Sequence, residues 1–106
     1  MADKRVFPRL KKRLMVDFVI DGVLSTGFTH DLSFTGFFVV SSRLPKIGTV
    51  LPATLHLPSG KRISLTGKVV RSLRVPTALA QTIPNGFSMQ LTDYAEEYTR
   101  FVESLH

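Results

Sequence analysis

Apolar residues recur along this chain at two different spacings, and the change from one to the other divides it. From Leu14 to Ile20 the sequence is rich in β-branched and aromatic residues, and Asp21-Gly22 follows as a hairpin signal, so Val23 to His30 is expected as the returning strand. Asp31 to Gly36 is polar and turn-like, and Phe37 to Val40 is a short apolar run suited to a buried strand. Pro45 and Gly48 mark a loop before a strand over Thr49 to Leu57, in which Val50, Ala53, Leu55 and Leu57 compete for the inner face. Pro52 within it argues for an edge position or a bulge. After the turn Pro58-Ser59-Gly60, the residues Ile63, Leu65, Gly67, Val69 and Arg71 alternate with Ser64, Thr66, Lys68 and Val70, the period of a half-buried strand. Residues 73–85 form the longest connection, with Pro76 and Pro84 bracketing its middle, and Phe87 to Leu91 reads as a last short strand.

The tail then switches to helical spacing. Tyr94, Tyr98, Phe101, Val102 and Leu105 make one apolar stripe, and Asp93 is placed to cap a helix at Tyr94 with Glu96 where a capping box needs it. At the other end, Pro8 forbids a regular helix and pushes Phe7 to extended geometry. Six short strands and one terminal helix predict a six-stranded antiparallel β-barrel with a C-terminal α-helix covering an opening or an edge.

Length and composition fit one such domain: 106 residues, 43% of them hydrophobic, enough for a single core. Without cysteine there are no disulfides, thiolate nucleophiles or cysteine-bound zinc. Leu14 to Ile20 is too short to cross a bilayer, and the features of a signal peptide are missing, so a soluble cytoplasmic domain is expected. The net charge of +6 is unevenly placed. Residues 1–13 hold six basic groups against Asp3 alone, whereas the remaining residues hold eight basic and seven acidic groups. The chain therefore divides into a basic N-terminal arm, 1–13, and a nearly neutral barrel with its helix, 14–106, and the arm points to an anionic partner.

Catalysis finds little support. His30, His56 and His106 share no metal-ligand spacing, and the scattered glycines make no phosphate-binding loop. His30, Asp31 and Ser33 are close in sequence, but successive strand residues face opposite ways and no nucleophile elbow is present. His56 reads as a surface residue of a strand at an edge. No enzyme activity, metal or cofactor is expected. The informative pair of segments is Arg5-Val6-Phe7-Pro8-Arg9, with two guanidiniums four apart on a non-helical stretch, and Asp31-Leu32-Ser33-Phe34-Thr35-Gly36 farther on. Each alone is ordinary: charged termini are commonly solvated, and Asp-x-Ser-x-x-Gly is a turn in which glycine supplies positive φ.

In this order, just ahead of the first strand and just after the second, the two segments resemble the signature of the PilZ domain, the family of bacterial receptors for cyclic di-GMP: Arg-x-x-x-Arg followed by (Asp/Asn)-x-Ser-x-x-Gly. The resemblance extends to GKVVR at Gly67 to Arg71 and to NGFSMQLTD at Asn85 to Asp93. It implies the same barrel and helix. It also implies a ligand with two phosphates and two guanines, with Arg5 and Arg9 forking onto phosphate or guanine O6/N7 edges and stacking on a purine. Asp31 would accept from the guanine N1–H and exocyclic amine, Ser33 would add a hydroxyl bond, Gly36 would let the turn approach, and Lys4 would add a phosphate contact. Arg9 with Arg13 also fits the first half of the signature, and Arg5 with Arg9 is preferred because Leu10 to Phe18 then leads into the first strand. Phe34, Phe37 and Phe38 are read as packing groups, Arg71 as exposed, and Lys11, Lys12 and Arg13 as solvating the strand entry.

Three functions follow, in order. The first is a second-messenger sensor whose arm folds over the barrel when cyclic di-GMP neutralises it, changing a surface for a protein partner in motility, pilus or exopolysaccharide machinery. The second is a PilZ-like adaptor that binds proteins and no nucleotide. The third is a small nucleic-acid-binding barrel, disfavoured because the body is nearly neutral, tryptophan is absent and the arm holds one aromatic residue, Phe7.

Overall fold

In the computed structural model, residues 9–75, 85–93 and 95–105 are described. The alternating segments form β2 (Met15–Ile20), β3 (Val23–Ser33), β4 (Gly36–Val40), β5 (Val50–His56), β6 (Arg62–Leu73) and β7 (Gly86–Leu91), preceded by a two-residue strand β1 (Leu10–Lys11) and followed by helix α1 (Glu96–Ser104). Strands are hydrogen-bonded in the order β1-β3-β2-β5-β6-β7-β4, and β4 returns to β3. Six antiparallel strands thus close a barrel, with β1 as an extra strand on the end of β3.

Period-two alternation fills the interior. Val16 and Phe18 of β2, Leu51, Ala53 and Leu55 of β5, Ile63 and Val69 of β6, Phe37 and Val39 of β4, and Phe87 and Met89 of β7 are all buried in one cluster. Phe18 meets Phe87 edge-on at 5.2 Å. Helix α1 lays its stripe on this core: Tyr98 and Val102 are buried, and Phe101 and Leu105 pack partly against it.

Four local expectations change. First, β3 does not stop at His30. Asp31, Leu32 and Ser33 continue it, pairing with Phe38, Phe37 and Gly36 of β4 while Asp31 and Leu32 also pair with Lys11 and Leu10. Backbone bonding to neighbours on both sides outweighs the local turn chemistry, and the turn shrinks to Phe34-Thr35. Second, β5 is no edge. It lies between β2 and β6, and its proline is accommodated because the ladder to β2 ends at Phe18–Ala53, leaving Pro52 paired with Thr66 alone. Third, the capping box does not form. The helix begins at Glu96, its N-cap is Ala95, and no side chain caps it. The chain ahead of it is tied to the barrel, with Leu91 N–H donating to the Thr35 carbonyl and Thr92 N–H to the Thr66 carbonyl, so Asp93 is held two residues short of the cap. Fourth, β6 runs to Leu73, and the prolines of the connection after it fall at 76–84, outside the described residues, as do Tyr94 and His106.

Candidate functional site

The end of β3 is where the two motif segments meet. β1 lies on one side of it and β4 on the other, which places the Asp31 carboxylate on the outer wall near the barrel's rim. Arg9, immediately ahead of β1, donates from Nε and Nη2 to Asp31 Oδ1 at 2.8 and 2.5 Å, and the pair is 47% and 21% exposed. A register shift between Thr29 and Asp31 breaks the strict alternation here. His30 Nδ1 therefore comes within 3.5 Å of Asp31 Oδ2, and its ring stands edge-on to Phe38. Each carboxylate oxygen thus faces a nitrogen-bearing side chain.

Ser33 turns inward and is buried. Its hydroxyl accepts from the Thr35 N–H at 3.3 Å, lies 3.1 Å from Thr35 Oγ1 and donates to the Gly36 carbonyl at 3.4 Å, so it staples the turn shut. Gly36 is required by crowding and not by conformation. Its φ is not positive, but a Cβ there would fall 1.9 Å from the Met89 carbonyl oxygen of β7.

Behind the turn stands Tyr98 of α1, fully buried, whose hydroxyl donates to the carbonyls of Ser33 at 2.6 Å and Gly36 at 3.2 Å. Burial pushes its ionisation well above the ordinary tyrosine range, while the positive Arg9 opposes that and the negative Asp31 adds to it. Arg9, Asp31 and Tyr98 are therefore one electrostatic unit, linking the rim of the barrel to the helix. The sequence pattern places Tyr98 in the apolar stripe of the helix and no further. The signal is a phenol in an apolar stripe, which Tyr98 shares with Tyr94, since a buried hydroxyl needs an acceptor.

Arg5 and Lys4 lie outside the described residues. Arg13 is placed elsewhere than Arg9: its guanidinium sits 4.1 Å over the Phe28 ring. Thr29 fastens the chain on either side of Arg13, its hydroxyl donating to the Lys12 carbonyl and accepting from the Leu14 N–H. The recess beside the turn, lined by Phe34, Thr35, Leu91 and Tyr98 among others, holds about 210 Å³ and is smaller than a typical ligand pocket. What Asp31 and Arg9 offer is a polar surface open to a planar ligand with its own donors and anionic groups.

Two other arrangements are defined. The Ser33 hydroxyl bonds within its turn, so it makes no nucleophile–base pair with His30. His56 is no lone surface residue: its Nε2 is 2.7 Å from Asp17 Oδ2, and Thr26 donates to Oδ1 of the same carboxylate. Those two bonds, His56 first, hold the Asp17 carboxyl below the usual carboxylate range. Among the described residues no group of three or more histidine or acidic side chains is placed to hold a metal, and no helix is long and apolar enough to cross a membrane.

Compared with known families, residues 3–104 match the PilZ domain. No curated protein sequence matches the chain. Among solved structures, the chain is similar to the Bacillus subtilis inhibitor of motility MotI/DgrA, with a TM-score of 0.77 at 16% identity over 98% of this chain and 49% of that one. It thus spans about half the length of that protein. It is similar also to the PilZ domain of YcgR from Escherichia coli, solved with c-di-GMP, with a TM-score of 0.72 at 11% identity, covering 97% of this chain and 88% of that one. A third similar structure is the PilZ domain of CeSA from a cellulose-synthesizing bacterium, with a TM-score of 0.59 at 21% identity and 92% of each chain covered. At these identities the structural likeness is one of fold.

Proposed function

The chain belongs to the PilZ domain family, and from that premise we propose that it is a receptor for cyclic di-GMP that passes occupancy of its site to a protein partner. The observation that carries this is the meeting of Arg9 with Asp31: two residues 22 apart in sequence, one from each half of the signature, share one surface. A carboxylate is the natural acceptor for a guanine N1–H and exocyclic amine, and a guanidinium suits both phosphate and the guanine O6/N7 edge. A guanine taking the Asp31 oxygens releases Arg9 toward those acceptors. Arg5 supplies the second fork and Lys4 a further phosphate contact, fastening residues 1–8 against the barrel as their charge is neutralised. The position of Arg13 on Phe28 favours the pairing of Arg5 with Arg9 over that of Arg9 with Arg13. Ser33 and Gly36 serve the ligand by fixing the turn, since the Ser33 hydroxyl is buried and bonded within it. That the YcgR domain of this fold was solved with c-di-GMP supports the same ligand here.

Calorimetric titration with cyclic di-GMP tests the reading. Saturable binding is expected, and Arg5→Ala or Arg9→Ala should weaken it by about 2–5 kcal/mol if their charge pairs are desolvated. Absence of heat at low salt, or unchanged affinity in both variants, overturns it in favour of an adaptor that binds no nucleotide. Salt-dependent binding of generic RNA or DNA, with cyclic di-GMP a poor competitor, returns the nucleic-acid reading.

A further inference from the structure

At the end of the barrel formed by the β2–β3 turn, the wall opens. The ladder between β2 and β5 covers Val16 to Phe18 and Ala53 to Leu55 and goes no farther. Beyond it, Val19 and Ile20 remain paired to β3 on one side, and Val50 to Pro52 remain paired to β6 on the other. Among the described residues no backbone bond crosses between these two stretches. Two strand edges therefore face each other across a cleft of about 380 Å³, closed in by Leu44 and Pro45 of the loop before β5.

The surroundings of the cleft are unusual in two ways. Among the described residues Leu24, Ile47 and Val50, at 69%, 66% and 58%, are the three most exposed large hydrophobic residues; Val50 lines the cleft, Ile47 belongs to the loop that closes it, and Leu24 lies across the β2–β3 ladder from the lining residue Val19. The charge beside it comes from three groups: Lys46 and Asp21 both line the cleft, and Lys68, outside the lining, pairs with Val50 from β6, so two lysines stand against one carboxylate. Exposed aliphatic side chains in a concave setting mark an interaction site, and unpaired strand edges recruit another strand.

We infer that this cleft is a docking site for an extended segment of a partner protein, one that alternates aliphatic and acidic side chains. The backbone of the segment supplies hydrogen bonds to the open strand edges, its aliphatic side chains cover Val19, Leu24 and Val50, and its carboxylates meet Lys46 and Lys68. The chemistry of the rim selects against a second copy presenting this same face, which would set Lys46 and Lys68 against their own counterparts. The site lies away from the Arg9–Asp31 surface and does not depend on nucleotide binding.

The test is a nuclear magnetic resonance titration of the isotope-labelled full chain with a capped peptide of about ten residues alternating valine and glutamate. Saturable shifts are expected at the amides of Val19, Ile20, Val50 and Leu51, with those of Phe34 to Gly36 unmoved. Val50→Asp, at an exposed position that should leave the rest of the spectrum unchanged, should weaken binding about tenfold or more, as should lysine in place of each glutamate. N-methylation of alternate peptide amides should abolish it. The inference is overturned by absence of shifts at about 1 mM peptide, by equal binding of the lysine or N-methylated peptide, or by cleft shifts that follow the concentration of the protein alone, which would assign the cleft to a second copy.

Discussion

Asp17 in the middle of the barrel wall and Asp31 at its rim are alike in most respects. Both are on the outer face, 27% and 21% exposed, and both have a histidine nitrogen within reach. They differ in where their partners come from. Asp17 is held by Thr26 of β3 and His56 of β5, the strands directly paired to its own, so every group in that cluster is fixed by the barrel. Asp31 is held by Arg9, which precedes the two-residue strand β1 and keeps about half its side chain in solvent. The first arrangement has no partner to spare. The second can exchange its guanidinium for another donor without disturbing a strand, which is what a ligand surface needs and a structural cluster does not.

The largest expected effect comes from breaking the frame beneath Asp31. Gly36→Ala places a Cβ 1.9 Å from the Met89 carbonyl oxygen, and because backbone must move to relieve it, the loss of stability should exceed about 3 kcal/mol in chemical denaturation. Next is the carboxylate itself. Asp31→Asn should lower cyclic di-GMP affinity by about 2 kcal/mol or more, some thirtyfold, while Asp17→Asn leaves it unchanged. Equal losses in the two variants would erase the distinction between them. Tyr98→Phe should cost about 1–2 kcal/mol by leaving the Ser33 and Gly36 carbonyls without a donor. It also changes alkaline behaviour. The folded state holds Tyr98 neutral, so above pH about 10 the unfolded chain alone ionises there and stability falls by about 1.4 kcal/mol per pH unit. Unfolding followed from pH 9 to 11 should show that fall in the wild type and a shallower one in Tyr98→Phe.

Most strands were legible because their inward residues are apolar at period two, as in β6, where Ile63, Leu65 and Val69 are all buried. What escaped depended on partners distant in sequence. The extension of β3 through Ser33 is set by pairing with β4 and β1, which overrides a segment whose own residues favour a turn. The helix start slipped because Thr92 is tied to Thr66, a contact no local pattern encodes. In the candidate site, the motif spacing points to Arg9 and Asp31, and the structure pairs these two across 22 residues. It could not show that Ser33 faces inward, that the bulge brings His30 beside Asp31, or that a tyrosine 65 residues beyond Ser33 fastens the turn to the helix. Nor could the near-zero charge of the body show a cluster such as Asp17 with His56, 39 residues apart.

That last cluster gives the smallest effect and the most direct test of its fixed character. The Asp17 carboxyl is held below its ordinary range, chiefly by the bond from His56 and then by that from Thr26. A carboxyl that is more acidic folded than unfolded stabilises the fold above its unfolded value, about pH 4, and that contribution is lost as pH falls from there through the folded value. Asp17 is partly exposed, so the contribution at neutral pH is modest, about 1 kcal/mol or less. Asp17→Asn should therefore lower stability slightly at pH 7 and flatten its dependence between about pH 5 and pH 2, so that the two proteins converge in acid. Thermal unfolding across that range reads both features. If the curves instead stay parallel down to pH 2, the bonds to His56 and Thr26 do not hold the carboxylate in its charged form, and Asp17 is no more fixed than Asp31.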